Sequence, residues 1–475
     1  MCATAVSGYP KTGIKVVIVG AGFGGLTAAI ECTRKGHSVT VLEKAPKWEQ
    51  LGDIISINPN AGKIISRWDR SKVNDRLDKI CMNHSHFRIH QHTGEHVLDQ
   101  PAVPRNTDRP MYNGHRADMH RVFYEYALDL GIPIILGARV VSYHEDPEKG
   151  EAWVVTEEGT EYRGNLVVGA DGVRSRARSL VLGFDDKPQS SGYAVYRAWF
   201  DVAESGIDTD PLTKEFVEHG KDIHAGWLGP DVHLLVATCK GGKEISWVCT
   251  HRDEADIDES WSFPGKVDEV LNLIQGWDPR VRQIIAKTPK CVDWKLMHRE
   301  PLPTWHTKGG HMCLLGDAAH PFLPTSIQGC SQAIEDGCAL ATTLALSHSD
   351  ARIRASDKIP NALRLYQRLR YERVRTAQKK GETVRNMWHA VDWSKARENP
   401  DLIKIPRETW LVFHDCEKYI HRLWDSAVAE LNGGPEIEHR RLCAGPDSDE
   451  HEYDHILMPP TPLYTPTEEL EKRLA

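Results

Sequence analysis

No stretch of this 475-residue chain approaches the roughly 20 consecutive apolar residues that a membrane-spanning helix needs, so a helical span is excluded. No basic stripe interrupts its mixed charges, which sum to -8, and a partner tracked along a phosphate backbone, such as a nucleic acid, is not expected. The 11 cysteines form no C-x-x-C pair. They read as buried thiols in a reducing compartment, with no disulfide framework, zinc site or other metal centre. The N-terminal MCATAVSGYPKTG lacks the basic segment and apolar run of a signal peptide. The expectation is a soluble, cytoplasmic protein, with peripheral membrane association left open. Internal repeats are missing too, which sets aside solenoids and propellers.

Against these absences stands residues 14–44, IKVVIVGAGFGGLTAAIECTRKGHSVTVLEK. An apolar run, Ile14 to Val19, meets Gly20, Gly22 and Gly25 in G-x-G-x-x-G spacing, continues as a helical pattern, and returns as a second apolar run ending on Glu43. That is a βαβ unit built for a dinucleotide. Gly20 permits the tight turn, Gly22 lets backbone N–H groups approach a pyrophosphate, and Gly25 lets the helix pack close to the strand. The phosphates then meet the positive end of the helix. Glu43 lies about 20 residues beyond the glycines, where a carboxylate accepts hydrogen bonds from an adenosine ribose. An ordinary glycine turn in an α/β sheet is the competing reading. No second G-x-G-x-x-G and no redox dithiol follow, which excludes a reductase with a separate nicotinamide domain.

Further along, HFRIHQHTGEHVLDQ alternates around a Thr-Gly turn as a β-hairpin, and a helix is predicted from near Ala117. Residues 190–300 have a different texture, with long alternating segments rich in aromatics. GYAVYRAWF puts Tyr193, Val195, Arg197 and Trp199 on one strand face, and Tyr196 and Phe200 on the other. HLLVATCK and EISWVCTH flank Gly241 and Gly242, which predicts a two-residue hairpin turn. A long helix is expected from about Ile327 to Leu346, residues 360–432 read as mostly helical, and the last forty as loosely packed.

Two further motifs bracket one cofactor: GADGVRSRAR at 169–178 and LLGDAAHPFLPTSIQGCSQAIEDG at 314–337. With the first glycine motif, in this order and spacing, the chain resembles the class A flavoprotein monooxygenases, the para-hydroxybenzoate hydroxylase group, and within it the fungal salicylate hydroxylase-like branch. The resemblance runs from about Ile14 to about Leu346. It implies an α/β fold: a Rossmann-type FAD-binding domain (1–188, returning at 301–350), an inserted antiparallel β-sheet substrate domain (189–300), and C-terminal helices with a loose tail (351–475).

It also implies roles. Asp317 would take hydroxyl protons from the flavin ribityl chain, although a helix cap in a Gly-Asp turn competes. Gly329 and Cys330 lie near a helix N-terminus, whose N–H groups and dipole favour negative charge on a reduced flavin. Arg116 sits where the family reaches the flavin phosphates, and a guanidinium offers several fixed donors for that task. A solvated arginine at a helix start is its alternative. Asp171 and Arg174 either brace the phosphate region and NADPH use or form a structural ion pair. Asp118 and His120 read as capping and surface groups, and His320 as a satisfied structural histidine rather than a base.

Arg197 is the catalytic candidate, since a cation in an aromatic strand is costly unless it faces a cavity or a partner. In the resembling enzymes an arginine at this position acts near substrate and flavin. An arginine snorkelling to the sheet edge is the alternative. Trp199, Trp227 and Trp247 are candidate pocket walls. HLLVATCK lacks the tyrosine with which phenol-directed members deprotonate their substrate. The expected reaction is therefore hydroxylation or epoxidation of an electron-rich aromatic small molecule of indole type, with FAD, NADPH (or NADH) and O2, through a flavin C4a-hydroperoxide. A salicylate-type hydroxylase that releases CO2, and a non-catalytic Rossmann-type binding protein, are the alternatives.

Overall fold

The computed structural model describes residues 9–47, 53–103, 108–186, 189–218, 220–253, 263–299, 302–405 and 407–437. The proline- and acid-rich tail expected to be loose lies almost wholly outside the described residues. A five-stranded parallel sheet forms the first layer, in spatial order Met312–Leu314, Leu166–Gly169, Lys15–Val19, Ser38–Glu43 and Ile134–Leu136. Its inner strands are continuous apolar runs because helices or connecting strands cover both faces. The helices Phe23–Arg34 and Gly329–Ser349 pack against each other through small residues. A Cβ on Gly337 would stand 2.6 Å from the Ala28 nitrogen, so only glycine permits that approach.

The second layer is an eight-stranded sheet, in order Phe263–Gly265, Cys291–His298, Gln189–Asp201, Glu244–Arg252, Val232–Cys239, His224–Gly229, His86–Gln91 and His96–Pro101. Pairing is antiparallel throughout except between His224–Gly229 and His86–Gln91. The hairpin at 86–101, which chain position alone assigns to the first domain, thus adds two strands to the larger sheet. Tyr196, Ala198 and Phe200 point into a core shared with the helices Val267–Leu273 and Pro279–Ala286, while Tyr193 and Val195 face Leu296 and Leu323. The predicted alternation of this strand holds.

The turn between Val232–Cys239 and Glu244–Arg252 has four residues, not two. Lys240, Gly241 and Gly242 all adopt positive φ, and the Asp222 carboxylate accepts from the Gly241 and Gly242 N–H groups at 2.8 and 3.1 Å. A carboxylate from the preceding strand region pins the wider loop. Beyond the sheets, the helices Lys358–His389 and Cys416–Leu431 close over Gly329–Ser349.

Candidate active site

Gly20 has φ of 108°, and a Cβ there would lie 2.2 Å from the Ala170 carbonyl oxygen; one on Gly25 would lie 2.0 Å from the Gly20 oxygen. Both positions are dictated by the protein's own packing. A Cβ on Gly22 meets nothing within 4 Å, so that glycine leaves an open cradle at the start of the helix Phe23–Arg34. Glu43 closes the strand Ser38–Glu43 and accepts from Ala21 N–H and Ala45 N–H, both at 2.9 Å. It is held beside the glycine loop with oxygen lone pairs to spare. His120 Nε2 lies 2.5 Å from the Ala21 oxygen, and its ring meets Phe23 edge-on at 5.1 Å. Burial holds this histidine down to about 3, so it is neutral and donates to that carbonyl; it buttresses the loop and is not the surface group expected.

Arg116, Asp317, Gly329 and Cys330 come from distant parts of the chain and converge. Arg116 opens the helix Arg116–Asp129, and its N–H donates to the Asp53 carbonyl at 2.8 Å. Asp317 sits in the single turn Gly316–Ala318 after the strand Met312–Leu314. Burial raises its pKa, while the charges of His320, Arg116 and Arg178 pull the other way. Burial also raises the Cys330 thiol, with Arg116 lowering it and Asp317 raising it. These groups share one electrostatic neighbourhood. Gly329 and Cys330 are the first two residues of a 21-residue helix, so their N–H groups have no partner within it.

The neighbours resolve other readings. Asp171 accepts from the Tyr143 hydroxyl and the Arg176 N–H, both at 2.9 Å, and its other oxygen is buried without a hydrogen bond. Asp118 does not cap its helix; it pairs with Lys240 at 2.9 Å, tying that helix to the large sheet. His320 Nε2 is 2.6 Å from Asp336, which also accepts from Gly316 N–H at 2.9 Å. Trp227 and Trp247 are fully buried in the core on the helix-covered side of the sheet, donating to Asp278 and Thr288. They are core residues and not pocket walls. Trp199 lies against His115, with ring centroids 4.6 Å apart, and donates to Glu244.

Arg197 Nη1 donates to Asp53 Oδ2 at 2.8 Å, and its guanidinium lies 4.8 Å from the Trp294 ring centroid. Asp53 is the residue that sequence reasoning missed. Its side chain holds the arginine of the large sheet while its carbonyl holds the first turn of the Arg116 helix. The only signal was an acid standing immediately before the apolar run IISI.

A cavity opens between these loops and the large sheet. Asn58, Asn113, Ile327 and Gln328 bring it next to the start of the Gly329–Ser349 helix. Met82, Phe87 and His224 form the sheet side, and the C-terminal region contributes Ile405, Arg407, Leu411 and Val412. The open cradle at Gly22, the pinned Glu43, the carboxylate of Asp317 and the helix start at Gly329 and Cys330 form a set of donors and acceptors that fits FAD.

The family model described as FAD binding domain matches residues 13–357. Asperlicin C monooxygenase of Petromyces alliaceus is 33% identical over 432 residues, covering 89% of this chain and 90% of that protein. FAD-dependent monooxygenase notI of Aspergillus sp. (strain MF297-2) is 34% identical over 431 residues, covering 90% of this chain and 95% of that protein. Among solved structures, CtdE in complex with FAD and substrate 4 superimposes with a TM-score of 0.81 at 33% identity, covering 88% of this chain and 100% of that one. A salicylate hydroxylase substrate complex, at 22% identity and a TM-score of 0.67, covers 90% of this chain and 100% of that one, and shares the fold.

Proposed function

Since the chain belongs to the class A FAD-dependent monooxygenases, we propose that it uses NADPH and O2 to hydroxylate or epoxidise an electron-rich aromatic small molecule of indole type, as a tailoring step in secondary metabolism. FAD supplies the redox chemistry and the activation of O2. The protein's part is to bind, orient and exclude water. Gly20, Gly22 and Gly25 with Glu43 would hold the adenosine diphosphate half, Arg116 the phosphates, and Asp317 the ribityl hydroxyls. The amides and dipole of the helix beginning at Gly329 and Cys330 would stabilise negative charge at the ring.

The observation that carries the substrate half is the bridge between Arg197 and Asp53. It fixes a cation of the large sheet against the residue that precedes the strand Ile54–Ile57 and whose carbonyl holds the first turn of the Arg116 helix, in a pair whose side chains are 12% and 15% exposed. The guanidinium is permanently charged, and the carboxylate and the Trp294 ring fix its orientation, which suits it to orient a substrate oxygen or the oxygen being transferred. The test is anaerobic mixing of the holoenzyme with NADPH, with and without a panel of indoles and hydroxybenzoates, followed by aerobic product analysis. Bleaching of the flavin, accelerated by an indole that is then oxygenated, is expected. Arg197→Ala should keep its flavin and lose product; loss of the flavin would move Arg197 to cofactor binding. A yellow protein that NADPH does not reduce with any compound overturns the reading.

A further inference from the structure

The wall of the cavity contributed by the C-terminal region lies beyond residues 13–357, the part matched by the family model. Among the described lining residues Arg407 is the single permanent cation, and these include no aspartate, glutamate or lysine. Of the two histidines there, His224 adds no charge at neutral pH, because burial holds it down to about 3, helped by His84 and Arg407. Arg407 donates from Nη1 to the Pro101 carbonyl. Its neighbour in sequence, Glu408, serves Lys380 and Trp410. Among the described residues no ion pair to Arg407 is present, and burial is the one influence on its pKa, which is lowered.

A guanidinium presents five donors in a rigid fork, and taking it partly out of water without an anion is costly unless those donors find acceptors. One neutral carbonyl does not fill the fork. The apolar residues lining the same cavity, Leu411, Val412, Phe87 and Met82, suit an aromatic ring. We propose that Arg407 is a specificity-determining anchor that takes a carbonyl or carboxylate oxygen on the aromatic substrate. The inference rests on the monooxygenase reading above and deepens it: the ring is held by the apolar wall, and an acceptor group on it is held by the C-terminal arginine. Oxygen acceptors of both kinds share this chemistry, so neutral and anionic substrates must be told apart by experiment.

The experiment titrates FAD-loaded, full-length protein with indole-3-carboxylate, indole-3-carboxamide and 3-methylindole, reading binding from the shift of the flavin absorbance. Binding of at least one of the two acceptor-bearing probes about tenfold tighter than 3-methylindole is expected, the size of effect typical of a hydrogen bond to a charged group. Whichever is preferred identifies the acceptor as anionic or neutral. Arg407→Ala should reduce the preference to about twofold or less, and Arg407→Lys should recover it in part for the carboxylate, as a point charge replaces a fork. Flavin retention by both variants is the folding control. Equal binding of all three probes, no shift with any of them, or an undiminished preference in Arg407→Ala overturns the assignment. Wild-type protein that binds flavin and oxidises NADPH but shows no acceptor preference loses only the anchor; wild-type protein that is not reduced by NADPH loses the monooxygenase reading itself.

Discussion

Three glycines of one motif are required for two different reasons. Gly25 is fixed by the Gly20 carbonyl packed against it, and Gly22 by a space with nothing described within 4 Å of an added Cβ. Gly25→Ala should therefore destabilise the fold by ~1–3 kcal/mol or more, the cost of overpacking. Gly22→Ala should fold with an unchanged apoprotein melting temperature and lose FAD. Melting curves of the apoproteins and the flavin-to-protein absorbance ratio separate the two cases, and equal behaviour of both variants would refute the distinction. Arg197 and Asp53 act as a unit. Asp53→Ala should lose product to the same extent as Arg197→Ala, and the double variant should be no worse than either, because partners in one ion pair are not additive. Turnover of the three variants checks this. Arg197 was legible because a cation in an aromatic strand asks for a partner. Asp53, 144 residues away in sequence, was not, since nothing local names that partner.

Between elements, the unexpected feature is a buried charge network joining the cofactor loop to the C-terminal helices. Asp336 and Glu335 on the helix Gly329–Ser349 are met by Arg370 and Arg373 of Lys358–His389, all four 2% exposed or less. Arg370 Nε donates to Asp336 at 2.9 Å, and Asp336 in turn holds Gly316 N–H and His320. Asn60 donates to Glu335 at 2.6 Å, and Arg373 reaches the carbonyl of Leu411 at 2.7 Å. Burial would raise the Glu335 pKa, but the charges of Arg373 and Arg370 hold it well below the carboxylate range. Glu335→Gln leaves Arg370 with Asp336 alone and takes from Arg373 the carboxylate it pairs with, both guanidinium groups being buried, and should cost ~3–5 kcal/mol. Denaturant unfolding measures it; a change under 1 kcal/mol, roughly the value of an exposed pair, would show that the network is not desolvated. The helices themselves were readable from their periodicity. Their docking was not, because an arginine on a helical pattern looks the same whether its partner is solvent or a carboxylate on the next helix.

For the molecule as a whole, buried histidines set the response to acid. Burial holds His37, His90 and His389 down to about 4, and His120 and His224 to about 3. Their folded pKa values lie below the unfolded value of about 6.5. The unfolded chain therefore takes up protons first, and stability is full above pH 6.5 and lost as pH falls toward 4 and then 3. Each such histidine adds ~1.4 kcal/mol per pH unit to the slope within its window. Denaturant midpoints should fall markedly between pH 7.5 and 5.5; a flat profile over that interval would sink the assignment of these histidines as neutral and buried. The sequence by itself determined the βαβ unit, the helix and strand types and the order of the three cofactor motifs, because each rests on short-range spacing of glycines, acids and apolar residues. Only the tertiary structure decided that the hairpin at 86–101 joins the large sheet, that Trp227 and Trp247 are core, that Asp53 meets Arg197, and that Arg407 stands in the cavity wall. Those outcomes depend on which surfaces meet across long stretches of chain, and a side chain's neighbours at that distance leave no periodic trace in the sequence.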